Sequence, residues 1–141
     1  MEFISRSLDD TTKFARKFAR TLKSGDIVLL YGDLGAGKTA FSKGVVAELS
    51  DNKLFAVSPT FVIVNVYETN PKIYHFDLYR IEDESELQAI GAEEYFYGEG
   101  ISLVEWPQRV EGYFPEDVIR VRIKKLSDNE RLITVNRSDY E

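Results

Sequence analysis

The octapeptide Gly32-Asp33-Leu34-Gly35-Ala36-Gly37-Lys38-Thr39 follows an aliphatic run, Asp26-Ile27-Val28-Leu29-Leu30-Tyr31, and precedes apolar residues at helical spacing, Phe41, Val45 and Leu49. A short continuous aliphatic run without alternation suits a strand covered on both faces of a sheet. The helix that opens at Lys38 is expected to end near Asp51 and Asn52. Strand, glycine-rich turn and helix in direct succession give the pattern G-x-x-x-x-G-K-[ST] the context it requires, and the segment reads as a Walker A loop, or P-loop. That setting disfavours a chance glycine-rich turn.

The residue types follow from what such a loop must hold. Glycines let successive backbone N–H groups converge on phosphate oxygens, and the helix N-terminus adds positive potential. Lys38 is expected to reach the β- and γ-phosphates, and the Thr39 hydroxyl to bind Mg²⁺. Leu34, Gly35, Ala36, Gly37, Lys38 and Thr39 are therefore the expected nucleotide-binding residues. A P-loop also needs a carboxylate to complete the surroundings of the metal, commonly at the end of a nearby buried strand. Glu105, after Ile101-Ser102-Leu103-Val104, is the best candidate. Asp77 is the second, either orienting the attacking water or holding magnesium through water. The competing reading of each is a solvated rim acid. Thr60, in Ser58-Pro59-Thr60-Phe61, lies where P-loop proteins often place a loop that senses the γ-phosphate, its competing reading being a turn threonine. His75 and Trp106 read as packing residues; Arg80 could contact phosphate, but an Arg at a strand end is usually a surface ion-pair partner. Asn52-Lys53 opens a guanine-reading N-K-x-D pattern, but Phe55 occupies the Asp position, so ATP is expected rather than GTP.

The remaining pattern is that of one unit. With 141 residues and no composition break or internal repeat, residues 1–141 are expected to form a single domain. A strand around Glu2 to Ser5 precedes a helix capped by Asp9 or Asp10, with Phe14, Ala15, Phe18, Ala19 and Leu22 on one face. Thr60 to Glu68 and Lys72 to Tyr79 look like a hairpin, the second run placing Ile73, His75, Asp77 and Tyr79 on a polar face and Tyr74, Phe76 and Leu78 on a core face. Glu82 to Ile90 and Glu93 to Tyr97 read as short helices, Ile101 to Val104 as a buried strand, and Val118 to Lys125 with Arg131 to Asn136 as a closing hairpin. The absence of cysteine excludes a disulfide framework, a thiolate metal site and a cysteine nucleophile, and a single histidine excludes a polyhistidine centre. A net charge of -6 argues against an extended basic surface for nucleic acid, while allowing a local phosphate pocket. No apolar run approaches the ~20 residues that a bilayer requires. No signal peptide is visible in MEFISRSLDD, so a cytoplasmic location is expected.

Four blocks share an order and spacing: Gly32 to Thr39, Ser58-Pro59-Thr60-Phe61, His75-Phe76-Asp77-Leu78-Tyr79-Arg80, and Leu103-Val104-Glu105-Trp106. In this the chain resembles the TsaE (YjeE) family, small bacterial ATPases of tRNA threonylcarbamoyladenosine synthesis, over about residues 5 to 115. The resemblance implies an α/β fold, a P-loop NTPase domain with a mixed β-sheet flanked by helices. It further implies ATP and Mg²⁺ as ligands, with magnesium held through Thr39 and Glu105, a switch-like role for Thr60, and a catalytic or metal-supporting role for Asp77. By position in that family, Leu8 or Thr11, Gln108 and Arg131 are expected near the adenosine. The implied partners are TsaB and TsaD, with tRNA met through their complex, and the implied task is ATP-driven turnover of that assembly.

Two other readings use the same loop. A small-molecule kinase commonly closes an arginine-rich lid over the phosphates, and no arginine cluster occurs between Gly91 and Pro107. A nucleotide-dependent binding switch with little hydrolysis shares every residue with the ATPase reading.

Overall fold

In the computed structural model, which describes residues 1–33, 35–54, 56 and 63–137, the strands are β1 (Glu2–Ser5), β2 (Ile27–Tyr31), β3 (Val64–Tyr67), β4 (Ile73–Asp77), β5 (Ile101–Glu105), β6 (Ile119–Lys125) and β7 (Arg131–Arg137). They pair into one mixed sheet in the order β1-β7-β6-β2-β5-β4-β3. The four inner strands β6, β2, β5 and β4 are parallel. The pairs β3 with β4, β6 with β7 and β7 with β1 are antiparallel.

Helices α1 (Leu8–Ala19) and α2 (Lys38–Leu49) cover one face; α3 (Glu84–Ala89), α4 (Ala92–Phe96) and a 3₁₀ segment at Pro107–Tyr113 pack on the other. The aliphatic run of β2 serves both layers. Val28 and Leu30 pack with Ala15, Phe18, Phe41 and Val45, whereas Ile27 and Leu29 pack with Phe76, Leu87 and Phe96. A strand between two helical layers has no face to give to polar residues, which is why alternation is missing from its sequence.

Three local expectations change. The cap of α1 is Ser7, whose side chain accepts from the Asp10 backbone N–H at 3.0 Å while the Asp10 carboxylate accepts from the Arg6 N–H at 3.0 Å. The acids at 9 and 10 thus lie inside the first turn, where the helix dipole favours them. The third helix starts at Glu84, capped by Asp83, rather than at Glu82. The polar face expected on β4 is largely buried, with Ile73 fully enclosed and His75 1% exposed, because β4 is an inner strand between β3 and β5. The expected strand residues 60–62 lie outside the described residues.

The two helices beside the P-loop approach closely at Gly44. A Cβ there would lie 2.7 Å from the Ala15 Cβ and 2.8 Å from the Thr12 carbonyl oxygen. Glu48 of α2 also accepts from Arg20 at 2.9 Å and Arg16 at 3.4 Å, and these bonds, Arg20 first, hold its carboxyl below the ordinary glutamate range. Gly44→Ala would gain up to about 1 kcal/mol of helix propensity but incur about 1–3 kcal/mol of overpacking against a backbone that cannot yield. The expected outcome is a net loss of stability and a lower urea midpoint with an unchanged slope. A midpoint at or above wild type would show that the helices separate without cost.

Candidate functional site

The carboxyl ends of parallel β2, β5 and β4 open on the same side, and there the chain places Tyr31, Glu105 and Asp77 as the last residues of their strands. Ligands of open α/β sheets bind outside such ends. The loop after β2 turns through Gly35 and Gly37, whose φ angles of 79° and 109° are left-handed, and Gly37 caps α2. Only a residue without a Cβ takes these angles at little cost.

Arg131 braces the loop from behind. Its Nε donates to the Ala36 carbonyl at 2.8 Å and its Nη2 to the Gly35 carbonyl at 3.3 Å, while Nη1 donates to Ser127 and Glu130 carbonyls at 2.9 Å and 3.0 Å. In a trans peptide the C=O and the following N–H point in opposite directions, so fixing the Ala36 carbonyl on the guanidinium turns the Gly37 amide away from it. Arg131, expected near the adenosine, therefore acts on the shape of the loop.

A cleft of about 490 Å³ lies in front of the loop, lined by Leu8 and Thr12 of α1, Gly35, Gly37, Lys38, Thr39, Ala40 and Lys43, and Asp77, Glu105 and Trp106. Lys38 is 6% exposed, and its Nζ has no hydrogen-bond partner among the described residues. The ammonium sits 3.4 Å from the centroid of the Trp106 ring. Burial lowers its pKa from the ordinary lysine value, opposed by the charges of Glu105, Asp77 and Asp33. A buried cation facing a ring and two nearby carboxylates, without a hydrogen-bond acceptor among the described residues, is a site suited to anionic oxygen.

Register pairs Asp77 with Glu105 on neighbouring strands. Glu105 is 7% exposed and its Oε2 lies 2.7 Å from His75 Nε2. Asp77 is half-buried, with Oδ1 accepting from the Tyr79 N–H at 3.0 Å. Together with the exposed Thr39 hydroxyl these are hard oxygen donors beside a phosphate cradle, a set that fits Mg²⁺, which takes one or two carboxylates and completes its shell with phosphate and water.

Several sequence-predicted residues fall elsewhere. Thr11 is 1% exposed and hydrogen-bonded to the Ser5 hydroxyl at 2.7 Å, so it faces the sheet; its neighbour Thr12 lines the cleft instead, one turn beyond Leu8. Gln108 lines a second cleft on the other side of the loop with Tyr31, Asp33, Ala36 and Arg122. Leu34 and Thr60 lie outside the described residues. Trp106 and His75, read as packing residues, both touch functional side chains. Trp106 holds a left-handed backbone, φ 59° and ψ 47°, at the strand end, with Tyr79 edge-on at 4.9 Å and Arg109 over the Tyr79 ring. The sequence signal that could have found Thr12 and Lys43 is helical spacing from Leu8 and Thr39.

A glycine-rich strand–loop–helix turn in front of which a cleft gathers a buried ammonium and two strand-end carboxylates makes this a P-loop nucleotide-binding fold. The family model described as threonylcarbamoyl adenosine biosynthesis protein TsaE matches residues 5–133. The tRNA threonylcarbamoyladenosine biosynthesis protein TsaE of Bacillus subtilis (strain 168) is 42% identical over 127 residues, spanning 89% of this chain and 78% of the relative. The protein of the same name from Aquifex aeolicus (strain VF5) is 41% identical over 138 residues, 96% of each chain. The crystal structure of Bacillus subtilis YdiB superposes with a TM-score of 0.81 at 33% identity, covering 97% of this chain and 84% of that one. The chain belongs to the TsaE family.

Trp106 is the one tryptophan in the sequence, so its emission reports the ammonium above it. Saturating ATP is expected to shift that emission as Lys38 leaves the ring for phosphate, and Lys38→Ala to show neither the starting spectrum nor the shift. An unchanged wild-type spectrum under calorimetrically verified saturation would mean that the ring and the ammonium stay together.

Proposed function

We propose that this chain binds Mg-ATP, hydrolyses it, and thereby drives repeated turnover of a TsaB–TsaD complex in tRNA threonylcarbamoyladenosine modification. The observation that carries the reading is the buried Lys38 ammonium, without a hydrogen-bond acceptor among the described residues, beside the two strand-end carboxylates. Membership of the TsaE family supports the link to tRNA modification. The absence, among the described residues, of a helix long and apolar enough to cross a membrane is compatible with work in the cytoplasm.

In this reading the Gly37 amide and the N-terminus of α2 receive phosphate oxygens, and Lys38 exchanges the face of Trp106 for the β- and γ-phosphates. Thr39 and Glu105 would hold Mg²⁺, which when bound neutralises charge that builds on the phosphates. Asp77, held by the Tyr79 amide, orients the attacking water. Leu8, Thr12 and Lys43 form the wall available to the nucleoside end. Thr60 is assigned to sensing the γ-phosphate. TsaB and TsaD receive the output, and tRNA is met through them.

Lys38→Ala removes a charged hydrogen-bond donor at about 1.5–3 kcal/mol, so ATP affinity should fall roughly 10- to 150-fold in a protein that remains folded. Asp77→Asn should slow turnover by about 10²-fold or more with little change in ATP affinity, because water positioning acts mainly in the transition state. Calorimetry and single-turnover hydrolysis separate the two; equal losses in binding and turnover would make Asp77 structural. The decisive experiment compares ATP turnover by the chain alone and with TsaB–TsaD, alongside tRNA modification. We expect slow hydrolysis alone, stimulation by the complex, and one surviving round of modification but no further rounds with Lys38→Ala. Repeated rounds in the absence of this chain overturn the reading, and phosphate transfer to a metabolite would replace it with a kinase.

A further inference from the structure

His75 is enclosed in the sheet, 1% exposed, two residues before Asp77 on β4 and therefore on the same strand face. Its Nε2 lies 2.7 Å from Glu105 Oε2, across from β4 to β5, while its Nδ1 is buried with no hydrogen-bond partner among the described residues. Among the described residues the ring thus makes one polar contact, and that contact is the carboxylate at the cleft. An ionised carboxylate only accepts hydrogen bonds, so the proton of the pair sits on Nε2. Glu105 Oε1, by contrast, makes no hydrogen bond to a described residue, and Glu105 lines the cleft that holds Lys38 and Thr39.

We propose that His75 is a positioning residue for Glu105: its Nε2–H holds Oε2, fixes the carboxylate in one rotamer, and leaves Oε1 to the metal side of the cleft. The assignment rests on the ATPase reading above, in which Glu105 serves Mg²⁺. A glutamate has three side-chain torsions, and without an anchor its carboxylate must lose that freedom each time a metal binds. It would also face burial with an oxygen unsatisfied. Lys38 cannot supply the anchor, since its ammonium lies on Trp106 and makes no hydrogen bond among the described residues. Partners that orient a ligand in this way typically contribute about 10- to 100-fold to metal affinity or activity.

The test uses His75→Leu, which fills the space without a donor, and His75→Gln, whose amide N–H can reach toward Glu105. For each protein the affinity for a non-hydrolysable ATP analogue is measured by calorimetry in Mg²⁺ and in chelator, with the melting temperature alongside. His75→Leu is expected to match wild type in chelator yet lose about 10- to 100-fold of the gain that Mg²⁺ confers. His75→Gln should keep most of that gain. A folded His75→Leu with the full wild-type gain overturns the assignment. Equal loss in both variants, tracking their melting temperatures, also overturns it, since the residue would then be only a core filler. Should His75→Leu not fold, His75→Gln decides: retention of the gain supports the role and loss refutes it. A wild-type protein that binds the analogue equally well with and without Mg²⁺ refutes the ATPase reading itself, and the assignment falls with it.

Discussion

An ammonium enclosed without a hydrogen-bond acceptor among the described residues is the costly element of this fold, and the surrounding structure is arranged to tolerate it. Lys38 heads α2, where backbone amides repel rather than welcome a cation. The compensation comes from the face of Trp106 at 3.4 Å and from the charges of Glu105, Asp77 and Asp33. Those groups are in reach only because β2, β5 and β4 run parallel and end together. The helix can keep its place only because α1 and α2 close on each other at Gly44. The cation, the sheet topology and the helix contact are one requirement seen at three scales.

The left-handed turn of Trp106 belongs to the same requirement. A tryptophan with φ of 59° immediately before a proline occupies backbone space that both its own Cβ and the proline ring disfavour. The turn puts the ring across the mouth of the strand end, between Tyr79 on one side and the lysine on the other. Strain of this kind persists where neighbours over-determine it, and here Pro107 and the 3₁₀ segment continue directly from it.

Features that depend on neighbours in sequence were legible before the structure. The strand–loop–helix of residues 26–49 was, because aliphatic continuity, glycine spacing and helical periodicity all describe local backbone. The placement of Glu105 and Asp77 at strand ends was legible too, since a strand-end acid can be read from its own strand, and the structure pairs them in register. What failed depended on rotation or on partners far away. Thr11 and Thr12 differ by about 100° around α1, and no local pattern says which faces the cleft. His75 looked like a core residue because it is one, and its contact with Glu105 spans 30 positions. Arg131 was expected near the adenosine only from the family resemblance, and its bonds to the loop carbonyls, 95 and 96 positions away, leave no local signal in the sequence.

That last contact carries a consequence for the order in which the molecule can be made. Arg131 reaches Ala36 across 95 positions, and β6, at residues 119–125, is the strand that pairs with β2 on the side away from β5. During synthesis the glycine-rich turn therefore emerges long before either its bracing arginine or the second neighbour of its strand exists. Contacts this distant in sequence form late, because the intervening chain must be gathered first. The glycine-rich loop is consequently among the last features to acquire its shape, although its residues leave the ribosome well before the arginine that braces them.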